Sequence, residues 1–218
     1  MIFSYFRDVE VAAYLETAGY PYQVGSDQND IILRSLERFT EETMCLFDDN
    51  ISLTTSATDT FALRTTASFA KKVFKIQDVW LEGDKIQRIA SQQDASRTSN
   101  YHNNTAGTPA YWWTQGQSLV FEKDCSGVLA NSFVSGWFLH SSIGDTDDLE
   151  IPDTDIDYAA KRAAIDIMEK RAVGEVREWM YKLKAESDKE MAIVKARASD
   201  MTIEFPTRRT PRRIHTLS

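Results

Sequence analysis

The sequence predicts an α+β protein: a helical bundle, made of an N-terminal helix and long C-terminal helices, with an inserted antiparallel β-sheet or small sandwich. Three observations predict it. Apolar residues recur every three or four positions from about Asp8 to Phe47, the period drops to two from Asn50 to His140, and it returns to the helical spacing from Asp155 to about Asp200. A chain of 218 residues is long enough for a substantial hydrophobic core. The expected division is N-terminal helices at 1–49, an antiparallel β-insertion at 50–150 and C-terminal helices at 151–205 that pack with 1–49 as one helical domain. A basic tail at 206–218 completes it.

Each element has its own signal. Val9, Ala12, Ala13 and Leu15–Glu16 suggest a short first helix ending at Gly19-Tyr20-Pro21. A second helix starts after Ser26 or Asp27, either of which can cap exposed backbone N–H groups. Ile32, Leu36, Phe39 and Thr43, with Leu46 or Phe47 beyond, form its apolar stripe, while Arg34, Glu37, Arg38, Glu41 and Glu42 take the other side. Strands follow at Ile51–Leu53, Phe61–Leu63, Val73–Leu81 and Lys85–Ile89, the last two joined by the turn Glu82-Gly83-Asp84. Tyr111-Trp112-Trp113 and Ser118–Phe121 make a hairpin across 114–117, and Gly127–Ala130 leads into Ser132–Leu139. The polar stretch Ser91–Gly107 reads as an exposed loop.

In the last third, Pro152 forbids an earlier helix start and Asp153 or Thr154 can cap. Ala159, Ala160, Ala163 and Ala164, with Ile167 and Met168, give a small-residue face that permits close packing. Gly174 marks a break, because glycine inside a helix costs about 1 kcal/mol against alanine. The helix beyond it carries Val176, Trp179, Met180, Leu183, Met191 and Val194.

Composition narrows the function. The net charge is −8, yet Pro206–Ser218 holds Arg208, Arg209, Arg212 and Arg213 and no acid, so the body without this +4 stands at −12. An acidic body is a poor general nucleic-acid binder, whereas a short basic tail suits an acidic partner. No apolar run approaches the length of a membrane span, and Met1–Arg7 lacks the pattern of a signal peptide. Cys45 and Cys125 read as free thiols of a protein made in a reducing cytoplasm, and Glu41, Glu42 and Asp48 near Cys45 disfavour its thiolate.

Chemistry-bearing motifs are not expected. His102, His140 and His215 have no ligand partner at metal spacing and read as surface residues. No nucleophile elbow, phosphate-binding glycine loop or C-x-x-C pair occurs, so no catalytic residue, cofactor site or metal site is assigned. The acids from Asp145 to Asp157 resemble a Ca²⁺ loop, but the frame from Asp153 puts Tyr158 at the turn glycine and Ala164 at the bidentate glutamate. Helix capping by Asp153 and Asp155 is the preferred account. On the strand, Tyr111 and Trp113 share one face and Trp112 takes the other, which favours a core or subunit-interface role over a ligand platform.

The order of segments resembles the head-to-tail adaptor (connector, or head-completion) proteins of tailed phages. The resemblance rests on the helix Asn29–Thr43, on Gly107-Thr108-Pro109-Ala110-Tyr111-Trp112-Trp113 with Gly116–Phe121, and on Ile151-Pro152-Asp153 before Tyr158-Ala159-Ala160. It spans roughly Asp27 to Ala198, and the long Ser91–Gly107 loop departs from it. It implies a structural virion protein of the neck, not an enzyme, made in the host cytoplasm. The implied assembly is a homo-oligomeric ring, typically dodecameric, between the portal and a tail or nozzle protein. Genomic DNA would thread it without sequence-specific binding, and no membrane or cofactor is involved. The tail residues Arg208, Arg209, Arg212, Arg213, Ile214 and Leu217 would bind the portal, and Ala159, Ala160, Ala163 and Ala164 would pack subunits together. The alternatives are another neck or tail-completion protein, or a carbohydrate-binding β-module using Trp112, Trp113 or Trp137.

Overall fold

The computed structural model describes residues 1–20, 28–90, 106–140, 144–171 and 175–203. Among the described residues four helices pack together. Helix α1 is continuous through Phe3–Tyr5, a π-helical Phe6–Val11 and Ala12–Thr17. It is followed by α2 (Asn29–Thr43), α3 (Ile156–Arg171) and α4 (Glu175–Ile203). The alanine face of α3 lets α1, α2 and α4 all pack against it.

Helix α1 departs from the expected short helix. It begins at Phe3, and its inward residues are Phe3, Phe6, Val11 and Leu15, separated by three, five and four positions. A regular α-helix would swing Val11 off the line of Phe6. The wider π turn restores it, and Val9, expected inside, is 44% exposed. In α2 the stripe Ile32, Leu36, Phe39 and Thr43 is buried. Gln28 stands at its N-cap, where its side chain does not cap the helix, and Ser26 and Asp27 lie outside the described residues. Left-handed Met44 ends the helix at φ 53°, and Leu46 and Phe47 then belong to the sheet rather than to the stripe.

The expected bundle with an inserted antiparallel sheet or small sandwich is corrected by the strands. A single curled, seven-stranded mixed sheet dominates the fold, in the order β1-β7-β3-β4-β5-β6-β2. Its strands are β1 (Phe47–Ser52), β2 (Thr60–Ala62), β3 (Val73–Leu81), β4 (Asp84–Arg88), β5 (Tyr111–Gln115), β6 (Ser118–Phe121) and β7 (Phe133–Phe138). β4 and β5 run parallel, with Gln87 opposite Tyr111 and Arg88 opposite Trp112. Parallel neighbours need a crossover of a dozen residues or more, and the chain between them supplies that length. Gly127–Ala130, leading into β7, is not a strand, and Val128 there is 77% exposed.

Curling encloses a second core of Val73, Ile76, Val79, Leu81, Trp112 and Phe121, among others, separate from the helical core. Cys45 touches both cores. Ion pairs tie α2 to the sheet unit: Lys72 meets Glu37 at 2.6 Å, and Arg64 meets Glu41. The Phe138 N–H donates to the Leu46 carbonyl at 3.2 Å, and the His140 N–H to Thr40 Oγ1 at the same distance.

Candidate functional site

The alanines Ala159, Ala160, Ala163 and Ala164 are fully buried within the chain itself. The close approach that they permit is made by α1, α2 and α4 of the same molecule. The tail residues Arg208, Arg209, Arg212, Arg213, Ile214 and Leu217 lie outside the described residues, as do His102, His215 and Gly174.

The acids from Asp145 to Asp157 are engaged in holding helices. Arg7 donates to Asp145 Oδ1 at 2.8 Å, and the N–H groups of Phe3 and Ser4 donate to the carbonyls of Asp147 and Asp145. Ile2 bridges Asp148 in an antiparallel step, so residues 144–149 strap down the start of α1. Asp157 accepts the Tyr14 hydroxyl at 2.5 Å, and Asp155 lies 3.5 Å from Arg197 of α4. Pro152, not Asp153 or Thr154, occupies the N-cap position of the 3₁₀ turn Asp153–Asp155 that leads into α3. Among the described residues no group of three or more His, Cys, Asp or Glu is placed to share a metal ion.

A denser network sits where α1, α3 and α4 meet. Lys161 of α3 donates to both carboxylate oxygens of Glu190 on α4, at 2.8 and 2.6 Å. Its ammonium also lies 5.7 Å from the centre of the Tyr14 ring on α1. Burial, followed by the bond to Asp157, pushes the Tyr14 hydroxyl pKa well above its usual value, so this group stays a donor. Three helices are thereby fixed relative to one another by polar as well as apolar contacts.

The remaining residues that could carry chemistry are quiet. His140, expected at the surface, is fully buried. Burial pushes the Cys45 thiol up to about 11, with Asp155 adding to it, so the acids expected to act on it, Glu41, Glu42 and Asp48, are not the cause. Cys125 also rises to about 11, through burial and then Asp124, Asp59 and Glu122. Both thiols are free and protonated near neutrality.

Trp112, Trp113 and Trp137 are 0%, 4% and 5% exposed, so none offers a ring to a sugar. Trp113 packs with Val120 and Ile89 on one face of β5, while Trp112 enters the sheet core on the other. Trp137 is covered by the edge of Phe47 and by Lys75, 4.5 Å from its ring centre.

Besides Val128 before β7, uncovered apolar side chains lie on or beside two helices. Ile2, just before α1, and Tyr5 and Val9 within it are 43%, 48% and 44% exposed, and Tyr181 and Ile193 of α4 are 56% and 49% exposed. Sequence reasoning missed both sets. The signal was available in the spacing of Ile2, Tyr5 and Val9, a second stripe beside the inward one. No helix of the described residues is long and apolar enough to cross a membrane. No protein-family model matches the chain, and no curated protein matches it in sequence.

Proposed function

We propose that the chain is a structural subunit of the head-to-tail adaptor ring of a tailed phage, seated between portal and tail around the DNA channel. The observation that carries this reading is that exposed apolar residues stand on two different helices, Tyr5 and Val9 on α1 and Tyr181 and Ile193 on α4, with Lys161 of α3 bonded to Glu190 and close to Tyr14 between them. A ring is closed by heterologous contacts, which require two different faces at a fixed angle on every subunit. The order of sequence segments that resembles the adaptor family supports the same reading. So does the acidic body, which lets DNA slide past without being gripped.

The basic tail supplies the portal contact in this account. Four arginines with Ile214 and Leu217 combine charge with apolar anchors, as segments that order on an acidic partner do. The test is retention of the chain on immobilised portal of its own phage. The full chain is expected to bind, and a chain lacking 206–218 to keep its melting temperature while binding roughly a hundredfold more weakly, the loss of about 3 kcal/mol of charged contacts. Unchanged binding after the deletion would remove the tail from the contact, and no binding by the full chain would remove the adaptor reading. A neck or tail-completion protein would instead be retained by the tail component and not by the portal.

A further inference from the structure

Ser52, Phe133, Trp80 and Lys85 stand opposite one another on β1, β7, β3 and β4, a single row across the sheet. The next row, Ile51, Val134, Val79 and Ile86, is buried in the sheet core, so the first row stands on the outer face. On that face Phe133 and Trp80 stack with ring centres 4.8 Å apart and an angle of 13° between their planes. Lys85 holds the far side of the stack, 5.6 Å from the Trp80 ring centre. Beside Ser52 and Phe133 the surface opens into a cleft of about 730 Å³. Ten described residues line it and none is charged, in a chain of which 27% is charged.

We propose that this cleft binds a neutral saccharide, with Phe133 against the face of a pyranose ring and Asn50, Ser52, Thr54 and Asn131 on its hydroxyls. These four side chains line the cleft, are exposed, and have no hydrogen-bond partner among the described residues. Amides and hydroxyls both donate and accept, which is what sugar hydroxyls require, and the weakly positive C–H face of a pyranose suits the negative face of an aromatic ring. An ion would find no counter-charge in the lining. The acids that flank it in sequence, Asp49, Glu82 and Asp84, turn away phosphates and acidic sugars. The volume lies within the roughly 300–1,000 Å³ of ligand clefts. The rim is also fixed in advance. Fully buried Thr55 donates its hydroxyl to the Gly127 carbonyl at 2.8 Å and accepts the Leu129 N–H at 2.7 Å. The Ser132 hydroxyl donates to the Leu129 carbonyl at 3.0 Å, and the Gly83 N–H donates to the Asn131 carbonyl at 3.3 Å. Val128, 77% exposed, is therefore an apolar residue held at the rim by bonds on both sides, so a ligand has little left to order. The site is independent of the ring reading, and Trp112, Trp113 and Trp137 take no part in it.

The test titrates neutral tetrasaccharides of glucose, mannose, galactose and N-acetylglucosamine into the isotope-labelled full chain. At least one should give saturable amide shifts at Gly83, Asn131 and Phe133. No saturable shift with any of them, or shifts centred outside the cleft, would overturn the site. Asn131→Gly keeps the left-handed backbone (φ 49°) without strain and removes the amide. It and Asn50→Ala should each raise Kd about fivefold, the loss of one ordinary hydrogen bond. Phe133→Leu keeps an apolar side chain beside Trp80 but removes the ring, and should raise Kd by about as much. Tyr181→Ala, which removes an exposed aromatic on α4, should leave Kd unchanged. An equal loss in that control, or no loss in cleft variants of unchanged melting temperature, overturns the assignment. The wild-type Kd should also hold constant from about 0.05 to 0.5 M salt. A Kd that rises with salt means that charge holds the ligand, and overturns the neutral saccharide. None of these outcomes bears on ring formation.

Discussion

Gly136 sits in β7 where β3 comes closest. A β-carbon added there would lie 2.3 Å from the Lys75 carbonyl oxygen and 3.1 Å from the Ile76 Cα, both backbone atoms of the partner strand. The strand pair cannot yield without losing ladder bonds, so Gly136→Ala should cost about 3 kcal/mol, visible as a lower midpoint in urea. Asp48 gives a pH signature. Burial would raise its carboxyl, but the Asn50 N–H and Lys71 outweigh that and hold it below its ordinary 3.8. A depressed carboxyl stabilises the fold above its unfolded value and stops doing so as pH falls through the folded one. Stability should therefore drop below pH 4, and Asp48→Asn should flatten that part of the profile. An unchanged acid limb in the variant would assign the drop to other carboxylates.

Single elements depend on small numbers of polar contacts. Glu122, 8% exposed, accepts the Ala110 N–H at 2.8 Å and also the Tyr111 N–H, so one carboxylate fixes the start of β5 beside β6. Glu122→Ala leaves two backbone donors without it and should cost about 2–3 kcal/mol of unfolding free energy. Element types were largely legible in the sequence. The stripe of α2 follows directly from burying one side of a helix, whereas in β3 the buried residues Val73, Ile76, Val79 and Leu81 step by three, three and two because the register with β7 shifts twice. α1 was misread because its inward spacing of three, five and four positions belongs to a π turn, a pattern that period-counting scores as noise.

At the scale of the molecule, local periodicity carries little about strand order. β7 inserts between β1 and β3, and β4 meets β5 in parallel, both contacts between segments far apart in the chain. The antiparallel insertion expected from consecutive hairpins therefore gave way to one mixed sheet. The site suffered from the same blindness. The alanines of α3 were read correctly as a close-packing face, but which helix they receive is a tertiary fact, and it is the chain's own α1, α2 and α4. Lys161 adds a polar tie between α3 and α4 within that helical unit. With its side chain 8% exposed and Glu190 29%, Lys161→Ala leaves a half-buried carboxylate and should cost about 2–3 kcal/mol, less than a fully buried pair would. In the adaptor account it should also loosen the angle between the α1 and α4 faces, so that rings on the portal become irregular even where the chain remains folded.

The most direct measurement is negative-stain microscopy of the chain mixed with its own phage's portal, beside the chain alone. The account predicts a ring stacked coaxially on the portal in the mixture. A well-behaved monomer that forms no ring in either sample would contradict it.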